Sequence, residues 1–189
     1  GGGAPRLGPA PAAAPAAGGV GLTPLVQTVK RAIVLLRTRT AEDGVVVIDR
    51  RKLAFSKAVL ELSLVSSLQA EGGFAFSVVE AGADVTRENT QTLSVTLTPP
   101  RTGGVTPESV EDDARALADM IQAAAQELGE ALKGDPPLGV SELSATLRFQ
   151  VVSALGGKVG FKILGHGVSV GARGQEADVQ KLTVTLSES

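Results

Sequence analysis

Six residues in the middle of the chain, Leu93-Ser-Val-Thr-Leu-Thr98, return almost letter for letter at its end as Leu182-Thr-Val-Thr-Leu-Ser187. Upstream of each copy the same parts follow in the same order: a helical apolar stripe, an alternating stretch, a Gly-broken turn and a Phe-bearing alternation. A repeat of about ninety residues means that one supersecondary unit is written twice, which limits the fold more than any composition does. At 189 residues the duplication favours two small units over one large domain. Each is of a size at which stability is modest, so packing of one copy on the other helps both.

The first 21 residues are almost entirely Gly, Ala and Pro. Such a composition buries too little apolar surface to fold alone, and residues 1–21 are expected to form a semi-extended tether to a domain upstream. They contain neither a charged n-region nor an apolar h-region, so no signal peptide is expected, and the chain reads as a processed product or a fragment. Thr23-Pro24 is a helix-start signal, and Leu22, Leu25, Val26, Val29, Ile33 and Leu36 then recur at helical spacing. The helix should fade near Thr40.

Val45–Ile48 forms a short β-branched run. From Ala58 to Val65 apolar residues alternate, with Ala58, Leu60, Leu62 and Leu64 on one face, the mark of a half-buried strand. Glu71-Gly72-Gly73 turns the chain, Phe74, Phe76 and Val78 alternate, and Leu93, Val95 and Leu97 close the unit before Pro99-Pro100.

The second copy repeats the plan. Ser109 is the expected cap, with Glu111, Asp112 and Asp113 near the positive end of the helix dipole. Val110, Ala114, Leu117, Ile121, Leu128 and Leu132 make the stripe, and Gly134-Asp135-Pro136-Pro137 stops it. Ala145, Leu147, Phe149 and Val151 alternate, Gly156-Gly157 turns, and Val159, Phe161 and Ile163 precede the closing repeat. The connection to that last strand is four residues longer than in the first copy. The expected fold is therefore α+β: two repeated units, residues 22–100 and 108–189, joined by a linker at 101–107. Each is one helix packed on a three- to four-stranded antiparallel meander.

Composition excludes much chemistry. The chain has no Cys, Trp or Tyr, five Phe and one His, so its cores are aliphatic. Without thiols there is no disulfide, thiolate metal site or thiol nucleophile, and one imidazole does not make a conventional zinc site. No metal or cofactor is expected. Net charge is −2, with +2 on residues 1–100 and −4 on residues 101–189, so nucleic acid is not an expected partner. The asymmetry favours attraction between the copies, or head-to-tail between chains, but only weakly. No apolar run approaches the roughly 20 residues that span a bilayer.

Individual motifs read blandly. His166 sits between glycines, in no nucleophile elbow, and is read as a turn residue. Leu155-Gly-Gly-Lys-Val159 lacks both the spaced first Gly and the Ser/Thr of a phosphate loop and reads as a hairpin; Gly165-x-Gly167 fails the dinucleotide pattern. Asp112-Asp113 is explained by capping. Lys30, Arg31, Arg37 and Arg39 read as a solvated helix face. Arg50, Arg51 and Lys52 are placed in a loop, where they would offer a cleavage point to a trypsin-like peptidase.

Val59-Leu-Glu-Leu62, Phe76-Ser-Val-Val79 and Thr92-Leu-Ser-Val-Thr-Leu-Thr-Pro99 together resemble the second type of bacterial trypsin-co-occurring domain. The likeness spans about residues 22–99, and less fully 108–187, where the closing Pro is missing. It implies a small non-enzymatic module that works with trypsin-like peptidases or signalling ATPases in bacterial conflict systems. It brings no catalytic residues. The expected role is a cytoplasmic adaptor or sensor that binds protein; the rival reading is a structural subunit that assembles with itself into a ring or filament through its sheet edges.

Overall fold

In the computed structural model the described residues are 19–42, 47–48, 51–99, 112–136, 138–164 and 177–188. Strand β1 (Gly19–Gly21) leads into helix α1 (Leu22–Glu42). A two-residue strand, β2 (Val47–Ile48), precedes the long β3 (Arg51–Leu68), β4 (Phe74–Val79) and β5 (Gln91–Leu97). Helix α2 (Asp112–Ala131) opens the second half, followed by β6 (Glu142–Ser153), β7 (Val159–Ile163) and β8 (Gln180–Glu188).

The helices form where the stripes are. Leu25, Val29, Ala32, Ile33 and Leu36 are buried along α1, and Ala114, Leu117, Ala118, Ile121 and Ala125 along α2. Buried Thr28 returns its hydroxyl to the Pro24 carbonyl at 3.0 Å, so its polar atom is satisfied inside. Positive φ at Gly72 and Gly73 closes the β3–β4 hairpin, where the Gly72 N–H donates to the Gln69 carbonyl. Gly156, also at positive φ, does the same between β6 and β7.

All strand pairs are antiparallel, and each half keeps one internal register. In the first, Leu64 faces Val78 in the hairpin; in the second, Phe149 faces Ile163, each 85 positions on. The buried helix residues Val29, Ala32, Ile33 and Leu36 likewise map onto Ala114, Leu117, Ala118 and Ile121 at the same offset. For the closing strand the offset is 89, because Leu93 answers to Leu182, and the four extra residues precede β8. Insertion in a connection leaves the core register intact.

The halves do not keep separate sheets. Strand β8 pairs on one side with β6 and on the other with β3, where Leu60 faces Leu182 and Ala58 faces Val184. Buried residues of both halves make one cluster beneath the two helices, so the structure has one core where two separately roofed units were expected. The physical reason is the open flank of β3: its first half extends well beyond β4, and β8 satisfies that backbone while burying Leu53 and Phe55. For the same reason β3 runs from Arg51, and not only over the alternating stretch 58–65. Helix α1 lies against α2, β3, β4 and β7, while α2 touches α1 and β7. Arg39 crosses between the helices to Asp119 at 2.6 Å and to the Gln122 side chain at 3.2 Å.

Two further expectations shift. Gly19–Gly21, expected as the end of a tether over residues 1–21, instead pairs with β4 and buries Val20; residues 1–18 lie outside the described residues. Phe74 and Phe76 were expected under the helix with Val78, yet only Val78 is buried. The linker 101–107, Ser109 and Val110 lie outside the described residues.

Candidate protein-docking edges

Seven strands of the sheet run in the order β1-β4-β3-β8-β6-β7 with β5 on the far side of β3, and β2 pairs with the start of β3. Strand β5 is therefore an edge. It pairs with β3 from Gln91 to Leu97, and no described residue pairs with its other side. An open edge is a row of backbone donors and acceptors, which natural sheets usually guard with charge or proline. Gln91-Thr-Leu-Ser-Val-Thr-Leu97 carries neither. Its inward side chains Leu93, Val95 and Leu97 are half-buried, whereas their counterparts Leu182, Val184 and Leu186 are fully buried.

The second open flank lies on β6. From Glu142 to Phe149 it pairs with β8, and from Phe149 to Ser153 it pairs with β7. Phe149 has both partners, so β7 and β8 lie on opposite sides, and the β7 side of residues 142–148 has no strand partner among the described residues. Leu143, Ala145 and Leu147 are half-buried there.

Where β4 gives way to β8 along β3, the ladder is bridged by a side chain. Leu64 is the last residue facing β4 and Glu61 the first facing β8. In the gap, Gln180, fully buried, accepts from the Ser63 backbone N–H at 2.7 Å and donates from Nε2 to the Val79 carbonyl at 3.2 Å. Its carboxamide thus takes the part of a missing peptide group. Asp178 reinforces the seam, accepting from the Gly82 N–H and the Gln150 carboxamide. Neither residue was singled out by sequence reasoning. The available signal was the repeat itself, since Gln91 and Gln180 stand at the same place before the two copies.

An apolar groove of about 490 Å³ opens beside the β5 edge, lined by Leu22, Leu64, Phe74, Phe76 and Leu93. Phe74 is 67% exposed and Phe76 46%, an unusual outlay of aromatic surface in a chain with five Phe. A smaller polar cleft of about 180 Å³ lies near Glu61, Ser63, Arg87, Thr92 and Lys181.

The other candidates are scattered. Arg51 and Lys52 belong to strand β3, paired with Ile48 and Val47, and not to a loop; Arg50 lies outside the described residues. His166 and Gly165–Gly167 also lie outside them. Leu155–Gly157 is a helical turn between β6 and β7, so the Gly-Gly-Lys segment is a hairpin. Asp112 sits in the first turn of α2 and accepts from Arg115 at 2.9 Å. Among the described residues no three His, Asp or Glu side chains are grouped as metal ligands, and no helix is long and apolar enough to cross a membrane. In comparisons with known proteins, no family model matches the chain, and no curated protein or solved structure matches it.

Proposed function

We propose that this chain is a non-catalytic protein-binding module, an adaptor or sensor of the bacterial cytoplasm that engages its partner through the β5 edge. The observation that carries the reading is that edge: seven uncharged residues, unpaired on one side among the described residues, beside a groove with two exposed phenylalanines. An extended segment laid against β5 gains backbone hydrogen bonds, and the groove takes its apolar side chains. The resemblance to trypsin-co-occurring domains supplies the partner class, a trypsin-like peptidase or a signalling ATPase. The matching registers in the two halves support an origin as two copies of one helix-and-meander unit.

The test is calorimetric titration of the chain with a trypsin-like peptidase and with a signalling ATPase of the class the resemblance implies, with Val95→Lys as the edge-blocked control. Binding that survives the lysine refutes the edge reading. Turnover in a broad hydrolase and nucleotide screen refutes the non-catalytic one. The rival, self-assembly through sheet edges, is favoured by a specific match between surfaces, set out next.

A further inference from the structure

The internal joint between the halves has a donor and an acceptor. The donor is β8 of the second half; the acceptor is the flank of β3 in the first, over Leu53–Glu61. Each surface has a counterpart elsewhere in the chain, at the offsets that relate the two halves. The counterpart of β8 is β5, and the counterpart of the β3 flank is the open flank of β6. The counterparts are the surfaces left without a strand partner among the described residues. Leu53 is 1% exposed and its equivalent Leu138 is 58% exposed; Ala58, Leu60 and Leu62 are buried, and Leu143, Ala145 and Leu147 are only half-buried.

The helix layer repeats the pattern. In the internal joint the acceptor's helix α1 reaches over the donor's β7, where Val159 is buried and Phe161 half-buried. Their equivalents on the unmated donor are Phe74 and Phe76, both exposed. On the acceptor side, fully buried Leu35 of α1 corresponds to half-buried Met120 of α2. Gln180, which seals the internal seam, corresponds to exposed Gln91.

We infer that the partner of the β5 edge is a second copy of this chain: β5 of one molecule docks on the β6 flank of the next, in the register that β8 takes on β3. This rests on the reading of β5 as a docking edge and puts a second copy, the rival occupant, in place of the peptidase or ATPase. Transferring the register places Val95 opposite Leu143, Leu93 opposite Ala145, Ser94 opposite Ser144 and Thr92 opposite Thr146. Apolar residues meet on the inner face and hydroxyls on the outer one, as Ser144 meets Thr185 and Thr146 meets Thr183 within the molecule. The Gln91 carboxamide then bridges the Arg148 N–H and the Leu164 carbonyl. Each molecule keeps one donor and one acceptor, so the contact is heterologous and propagates.

The chain has no cysteine, so Ser94→Cys and Ser144→Cys each introduce a single thiol at an exposed position. Mixed and air-oxidised, the two variants are expected to give the heterodisulfide between their introduced thiols well above the statistical share, and the pair Thr96→Cys with Ser144→Cys much less. A statistical mixture, or no disulfide, overturns the inference. In sedimentation the wild type should grow with concentration, while Val95→Lys and Leu143→Lys are each monomeric. Their mixture should form a 1:1 dimer and stop, because one live donor meets one live acceptor. A wild type monomeric up to the millimolar range, or variants that do not complement, overturns it as well. Circular dichroism separates a lysine variant that fails to fold from one that fails to dock, and the thiol pair decides in that case. If no disulfide forms but Val95→Lys still abolishes partner binding, the edge reading stands and only the second copy falls.

Discussion

Replacing Gln180 tests the joint between the halves most directly. Its carboxamide bridges Ser63 and Val79 across the gap between β4 and β8. Truncation to Ala leaves the buried Val79 carbonyl unsatisfied, a loss of about 1–3 kcal/mol, and strands the part-buried Ser63 N–H for about 1 kcal/mol more. The cavity left by the shortened side chain adds a smaller term, so Gln180→Ala should cost about 3 kcal/mol in urea unfolding, or roughly 10 °C in Tm for a chain of this length. The equivalent Gln91→Ala, exposed in the isolated chain, should stay within about 0.5 kcal/mol of wild type at low concentration.

Gln180→Glu adds a sign. An ionised carboxylate still accepts from Ser63 but faces the Val79 carbonyl oxygen and loses its hydration, so burial and repulsion raise its folded-state pKa above the unfolded value of about 4.3. Protonated, the same group is nearly isosteric with Gln and donates to Val79. Relative to wild type at each pH, its stability is therefore greatest below the unfolded pKa and is lost as pH rises through the raised folded value. A Gln180→Ala variant within about 1 kcal/mol of wild type, or a Glu variant that gains stability with rising pH, refutes the account of the seam.

Leu182 is buried between Leu60 and Leu147, so Leu182→Ala should cost about 3 kcal/mol, and calorimetry should show one transition moving as a whole because the halves share a core. Asp119→Ala breaks only the exposed pair with Arg39 and should cost under about 1 kcal/mol, less in high salt. Gly73→Ala meets no neighbouring atom but must hold φ near +84°, so the cost in chemical denaturation should be about 1 kcal/mol, all of it conformational.

Which residues turn inward was legible, because periodicity reports faces. The stripe on α1 and the alternation of Leu60, Leu62 and Leu64 mark the core without any knowledge of partners. Which strand lies beside which was not legible, because backbone hydrogen bonds carry no side-chain signature and β3 looks the same with β8 beside it or water. The partner of Leu60 is Leu182, more than a hundred residues away, and nothing local announces it. Phe76 shows the converse limit: it has the right period for the core, but whether a helix covers it depends on a neighbouring half. Of the two polar residues at the seam, Asp178 and Gln180, Gln180 left a trace, because Gln91 holds the identical place before the other copy.

The two joints should differ in strength even with matched surfaces. Within the chain, β8 and the β3 flank are tethered, and linkage of this kind gives an effective concentration of order millimolar. The joint between molecules has no such help. The internal joint should open only on global unfolding, while the external one dissolves on dilution. Hydrogen exchange gives each its own signature: β8 amides protected at every concentration, and the outward amides of β5 protected only when the protein is concentrated. Protection of β5 in dilute samples would mean that its edge is already covered within one chain.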